Sequence, residues 1–120
     1  PARPASAAPG AVPWSLRRVG RPWTQLTGNG VHIYLVSTAP RTTHEEFGGR
    51  ARVDAQFSSD GTVNCSAANA SCSEAATNMG TYFGSLAAGT TWGVAPRATL
   101  HSLVVDPRSF EQKQRALMWA

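Results

Sequence analysis

The stretch Val31-His32-Ile33-Tyr34-Leu35-Val36 constrains this chain more than any other. It is almost continuously apolar and rich in β-branched residues. Turn-forming Thr27-Gly28-Asn29-Gly30 precedes it and Ser37-Thr38-Ala39-Pro40 follows it. A short, dense run of this kind suits a strand buried on both faces, as in a parallel sheet with helices above and below. The 120 residues leave room for one small domain around such a sheet.

The remaining segments fit that frame. Residues 51–57 alternate in polarity and read as a second strand, nearer an edge. Residues 58–73 read as a polar loop. Over residues 78–88 the period changes: Met79, Tyr82, Phe83 and Leu86 fall on one helical face. That face is expected to point inward, with Met79 as core. Thr77 or Asn78 can open the helix and Gly89 can close it. Gly80 and Gly84 each weaken a helix by about 1 kcal/mol relative to Ala, a cost accepted where a backbone must come close to something else. Residues 99–105 form a third strand, ended by Asp106-Pro107. Ser109 followed by Gln112 is a capping-box pattern, so a helix is predicted from Phe110 towards Trp119. The order of strand, strand, loop, helix, strand and helix is an α/β pattern with a parallel pair joined through a helix. Residues 1–12, mostly Pro, Ala, Gly and Ser, read as a flexible segment, and residues 13–120 as the domain. Trp14, Trp23 and Trp92 are expected to pack, and Trp119 to be exposed. His32 and His101 are expected to be packed, hydrogen-bonded strand residues, and His44 a surface residue.

Composition narrows the function classes. At 42% hydrophobic and 15% charged, the chain is not disordered throughout. No apolar run approaches the roughly 18 residues of a membrane span. The net charge is +4, and ten of the eleven cations are Arg. They are scattered and not interleaved with aromatics, which argues for a soluble Arg-rich surface and against nucleic-acid binding. No Met opens the sequence and no charged-then-apolar leader follows, as expected of a processed chain or a fragment. Cys65 and Cys72 flank one polar stretch that also holds two Asn-x-Ser sequons, at Asn64 and Asn69. Two sequons in one loop favour a secreted glycoprotein. The cysteines either close a small disulfide in an oxidising compartment or stay as free thiols in the cytosol. They make no zinc site, because His44 and His101 follow no ligand spacing, and no metal or small-molecule cofactor is expected.

Five segments, in order, resemble the subtilisin-like serine proteases (peptidase S8), closest to the branch of proteinase K and of the proprotein convertase subtilisin/kexin type 9-like proteins. Val12-Pro13-Trp14-Ser15-Leu16 resembles the start of the mature catalytic domain. Gly30-Val31-His32-Ile33-Tyr34-Leu35-Val36 resembles the strand that delivers the catalytic Asp. Thr43-His44-Glu45-Glu46-Phe47-Gly48-Gly49-Arg50 is similar to the segment that follows that strand, and Gly80-Thr81 through Gly89 to the catalytic-His helix. Trp92-Gly93-Val94-Ala95-Pro96-Arg97-Ala98 with Leu100 resembles the run after the helix. The resemblance implies a three-layer α/β fold with a parallel sheet, present here as its N-terminal portion.

It also implies a site that this sequence does not fill. The family uses a Ser nucleophile, a His base and an Asp that supports the imidazolium. At the Asp position this chain has Ser37, in Ser37-Thr38-Ala39, and at the His position it has Met79, in Met79-Gly80-Thr81-Tyr82. A neutral hydroxyl does not support a cation as a carboxylate does, and a thioether is no useful proton acceptor. The family's Gly-Thr-Ser-x-Ala nucleophile motif does not occur within the 120 residues. The expectation is therefore a catalytically inactive, secreted homologue or fragment whose partner is another protein. The alternative is a serine endopeptidase of which this is a partial or variant chain.

Overall fold

The computed structural model describes residues 12–20, 26–65, 72 and 77–120. Of the segment read as flexible only Val12 falls among them, and Trp23 and Asn69 lie outside them. A short helix, α1 (Trp14–Arg18), follows Pro13, buries Leu16 and carries Arg17 and Arg18 in its last turn, where cations suit the helix dipole. Trp14 is 72% exposed, contrary to the expectation that it packs.

Four strands follow: β1 (His32–Ser37), β2 (Ala51–Ser58), β3 (Gly61–Asn64) and β4 (Thr99–Val104). They lie in the order β1-β4-β2-β3. β4 is parallel to both β1 and β2, and β3 closes an antiparallel hairpin with β2. The expected roles of the first two strands are exchanged. β1 stands at the edge, with His32 and Tyr34 exposed, while β2 lies inside and β4 occupies the buried centre. An apolar run signals apolar faces, and it does not count hydrogen-bonded neighbours. The hairpin strand β3 went unread because its four residues are nearly all exposed. Its turn is set by Gly61 at φ +141° and by the Ser58 hydroxyl, which donates to Gly61 O and accepts from Asp60 N.

One helix covers each face. On the first face α2 (Met79–Ala88) packs with Phe47, Ala88, Ala98 and Leu100 as core, joined by Ile33, Leu35 and Ala51. Its buried stripe is Gly80, Gly84 and Ala88, whereas Met79, Tyr82, Phe83 and Leu86 face outward. The inward apolar face expected from periodicity is thus corrected, and Met79, at 42% exposure, is not core. The helix lies too close to the sheet for large side chains. A Cβ on Gly80 would stand 2.1 Å from Thr38 O. On the second face α3 (Phe110–Trp119) sets Ala116 against Ala55, Phe57, Leu103 and Val105. Ser109 accepts from Gln112 N as expected, but the Gln112 carbonyl accepts from Asp106 N, so the pattern caps the preceding turn and not its own first residue.

Cys65 and Cys72 form a disulfide, which resolves the open choice between bridge and free thiols. Cys65 N also donates to Asp54 O, extending the hairpin by one rung. The bridge closes a loop of sequence separation 7, for which restriction of the unfolded chain implies about 2 kcal/mol of stabilisation. Cys65→Ser with Cys72→Ser should lower the unfolding free energy measured in urea by that amount. An unchanged unfolding free energy would show that the bridge contributes no net stability.

Candidate functional site

The C-terminal end of β1 meets the N-terminal end of α2. Ser37 is the last residue of β1, 6% exposed, and its carbonyl accepts from Val105 N. Met79 is the first residue of α2. Between them the backbone is stitched by hydroxyls. Gly80 N donates to Thr38 Oγ1 at 3.0 Å, Thr38 Oγ1 lies 3.1 Å from Thr77 Oγ1, and Arg41 N donates to Thr81 Oγ1 at 2.8 Å. The structure therefore brings the end of β1, at Ser37, and the start of α2, at Met79, to one junction.

Beside this junction opens a hollow of about 640 Å³, lined by Arg41, His44, Glu46, Asn78, Thr81, Tyr82, Ser85 and Trp92. Its walls are held by Glu46, whose carboxylate accepts from Thr91 N and Trp92 N. The His44 ring lines it but is committed: Nδ1 accepts from Glu46 N and caps the short 3-10 turn Glu45–Phe47. Trp92, expected to pack, is 46% exposed on this wall.

The polar side chains described at the junction are the hydroxyls of Ser37, Thr38, Thr77 and Thr81 and the Asn78 amide, with a thioether at Met79. Such groups donate and accept hydrogen bonds but do not exchange a proton with a reacting group near neutral pH. Among the described residues no three His, Cys, Asp or Glu side chains are grouped to hold a metal ion.

A carboxylate–imidazole pair does exist, on the opposite face of the sheet. Asp54 Oδ2 is 2.6 Å from His101 Nδ1, and His101 Nε2 is 2.7 Å from His32 Nδ1. Arg52 Nε lies 3.0 Å from Asp54 Oδ1, and the Tyr34 ring stacks on His101 at 4.8 Å. Tyr34 and His101 are paired residues, three positions along β1 from Ser37, or about 10 Å. None of these five side chains lines the hollow. The expectation of packed, hydrogen-bonded histidines holds for His101, which is 2% exposed, while His32 stays open to solvent. Asp54 was missed. A bulge between Val53 and Ala55 breaks the alternation of β2, so Asp54 and Ala55 are both buried. Elsewhere, Asp106 is held below the usual carboxylate range, chiefly by the hydrogen bond from Arg108 N.

Of the sequons, Asn64 ends β3 and is exposed, and Asn69 lies outside the described residues.

This arrangement, a mostly parallel sheet with a helix whose N-terminus meets the end of an edge strand, is that of an α/β chain of the subtilisin type. A solved cold adapted subtilisin-like serine proteinase superposes with a TM-score of 0.69 at 21% identity, covering 90% of this chain and 41% of that one. Proteinase T of Parengyodontium album is 30% identical over 102 residues, 78% of this chain and 31% of that protein. Subtilisin-like protease 7 of Arthroderma gypseum is 30% identical over 95 residues, 72% of this chain and 21% of that protein. No protein-family model matches. The chain spans less than a third of the length of these curated relatives. Sequence and fold together place it in the subtilisin-like serine protease family, peptidase S8, on the proteinase K-like side.

Proposed function

We propose that this chain is a catalytically silent subtilisin-like protein that works outside the cell by binding another protein. The observation that carries the reading is the junction itself. Ser37 ends β1 and Met79 opens α2 at this junction; the resemblance assigns these two positions an acid and an imidazole, and neither residue present moves a proton. Loss of one triad member alone removes several orders of magnitude of rate. The Asp54–His101 pair offers no substitute, because it lies on the other face of the sheet. The disulfide and the two sequons support an oxidising, secretory route. The rival reading, a working serine endopeptidase, draws on the family's chemistry alone.

The test is a fluorophosphonate probe together with a panel of peptide substrates, applied to the disulfide-intact chain. No labelling and no turnover above background are expected. Ser37→Asp combined with Met79→His should stay inactive as well, because the 120 residues hold no Gly-Thr-Ser-x-Ala. Specific labelling, or turnover by either protein, would reject the reading.

A further inference from the structure

We infer that the hollow beside the junction docks an acidic segment of the partner, with a carboxylate on Arg41 and His44 and a neighbouring apolar group against Tyr82 and Trp92. The inference rests on the protein-binding reading above and names the chemistry of the partner. The hollow's walls are fixed by bonds among residues 41–92. His44 N donates to Arg41 O at 3.0 Å and closes a turn with these two residues at its ends, both of them lining the hollow. Arg41 N donates to Thr81 Oγ1 at 2.8 Å, which ties that turn to α2. Glu46 O accepts from Thr90 N at 2.8 Å, and the Glu46 carboxylate accepts from Thr91 N and Trp92 N, which fixes the wall at Trp92.

The polar groups left over select the ligand. Glu46 is the one acid in the lining, and its carboxylate is engaged by those two backbone N–H groups. Thr81 Oγ1 already accepts from Arg41 N, and Ser85 Oγ donates to Tyr82 O. His44 Nδ1 accepts from Glu46 N at 3.1 Å, so the hydrogen of the ring is on Nε2. Among the described residues neither that Nε2–H nor the Arg41 guanidinium has an acceptor. Arg50, Arg52, Arg108 and Arg115 differ, since their side chains are bonded within the fold. What remains in the hollow is a set of donors, one of them a planar cation with a fork of N–H groups. Its complement is a carboxylate.

The aromatic wall adds the second requirement. Tyr82 is 60% exposed and Trp92 nearly half, and both line the same hollow as Arg41. Aromatic surface beside a guanidinium suits a carboxylate carried next to an apolar residue, whose burial keeps water from the ion pair. A hollow of about 640 Å³ has room for one or two peptide residues. An acidic side chain and a chain-terminal carboxylate present the same group, and the test separates them.

The disulfide-intact, isotope-labelled chain is titrated by NMR with acetyl-Gly-Leu-Glu-Gly-amide and with acetyl-Gly-Gly-Leu as the free acid, up to about 5 mM, where single-pocket contacts register. Saturable shifts at Arg41, Thr81 and the Trp92 indole are expected with at least one of them, and the peptide that binds identifies the source of the carboxylate. The Gln counterpart of the first and the amide of the second should bind at least about tenfold more weakly. Arg41→Gln should cost at least about tenfold. His44→Asn keeps an acceptor for Glu46 N but removes the ring donor, and should cost about threefold. Arg97→Gln makes the same charge change at an exposed position outside the hollow and should cost nothing. Phenylglyoxal, an arginine-selective reagent, should modify Arg41 in the native secreted protein, and the peptide should protect it. Absence of saturable shifts with both peptides would overturn the proposal. Equal binding of the uncharged counterparts would do so as well, and so would equal losses from Arg41→Gln and Arg97→Gln, which would reduce the effect to net charge. An Arg41 closed to phenylglyoxal in the native protein would overturn it too, by assigning the hollow to another part of the same polypeptide. None of these outcomes touches the catalytic silence of the junction, which the fluorophosphonate probe tests separately.

Discussion

Gly80→Ala is expected to destabilise the chain by about 2–3 kcal/mol, against the usual direction for a helix. On an exposed helix the same change gains about 1 kcal/mol. Here the new Cβ would stand 2.1 Å from Thr38 O and 2.9 Å from both Ala39 C and Pro40 N. All three atoms are backbone, so no side-chain rotation relieves the clash. Either α2 moves off β1 or the turn after Ser37 moves, and both break the Gly80 N to Thr38 Oγ1 bond. Gly84→Ala is the control. Its Cβ meets Leu100 Cδ2 at 2.8 Å and Phe47 Cζ at 3.2 Å, side-chain atoms that can give way. Its cost should not exceed about 1 kcal/mol, since the gain in helix propensity offsets part of the strain. Urea unfolding of both variants at unchanged m value decides the matter. If Gly80→Ala proves neutral, α2 does not approach β1 as described, and the pairing of Ser37 with Met79 at one junction loses its support.

That contrast also explains what the sequence could and could not disclose. The helix was legible from the spacing of Met79, Tyr82, Phe83 and Leu86, but its orientation was not. Periodicity locates an apolar stripe, and a glycine stripe on another side prevails when the helix must lie against backbone. The three parallel strands were legible from apolar density, and the parallel connection from the helix between them. Their lateral order was not, because the Val31-to-Val36 run has the composition of a central strand and the position of an edge strand. The candidate site was read through the motifs around Ser37 and Met79, and the fold does bring those two residues together. The second polar cluster was legible only in its histidines. Its acid, Asp54, is placed by a bulge, and a one-residue insertion in the ladder leaves no trace in an alternation count.

The largest effect is expected at that acid. Asp54→Ala should cost about 3 kcal/mol or more, because it strands a buried partner and does not merely delete a contact. The Asp54 side chain is 8% exposed and the His101 side chain 2%. His101 Nδ1 meets Asp54 Oδ2 and His101 Nε2 meets His32 Nδ1, so one carboxylate anchors a chain of two rings. Arg52 contributes less. Its side chain is 64% exposed, and its Nε, 3.0 Å from Oδ1 as an ion pair, donates its hydrogen to His101 Nδ1 at 3.2 Å. Asp54→Asn retains an acceptor for His101 and should cost only about 1 kcal/mol. Removing both partners at once, Asp54→Leu with His101→Phe, leaves no orphaned donor at Nδ1 and should recover most of the loss. A double-mutant cycle measures the coupling directly. Additive costs for the two positions would mean that the bond between them contributes nothing, and that the Asp54 carboxylate is buried in the sheet for another reason.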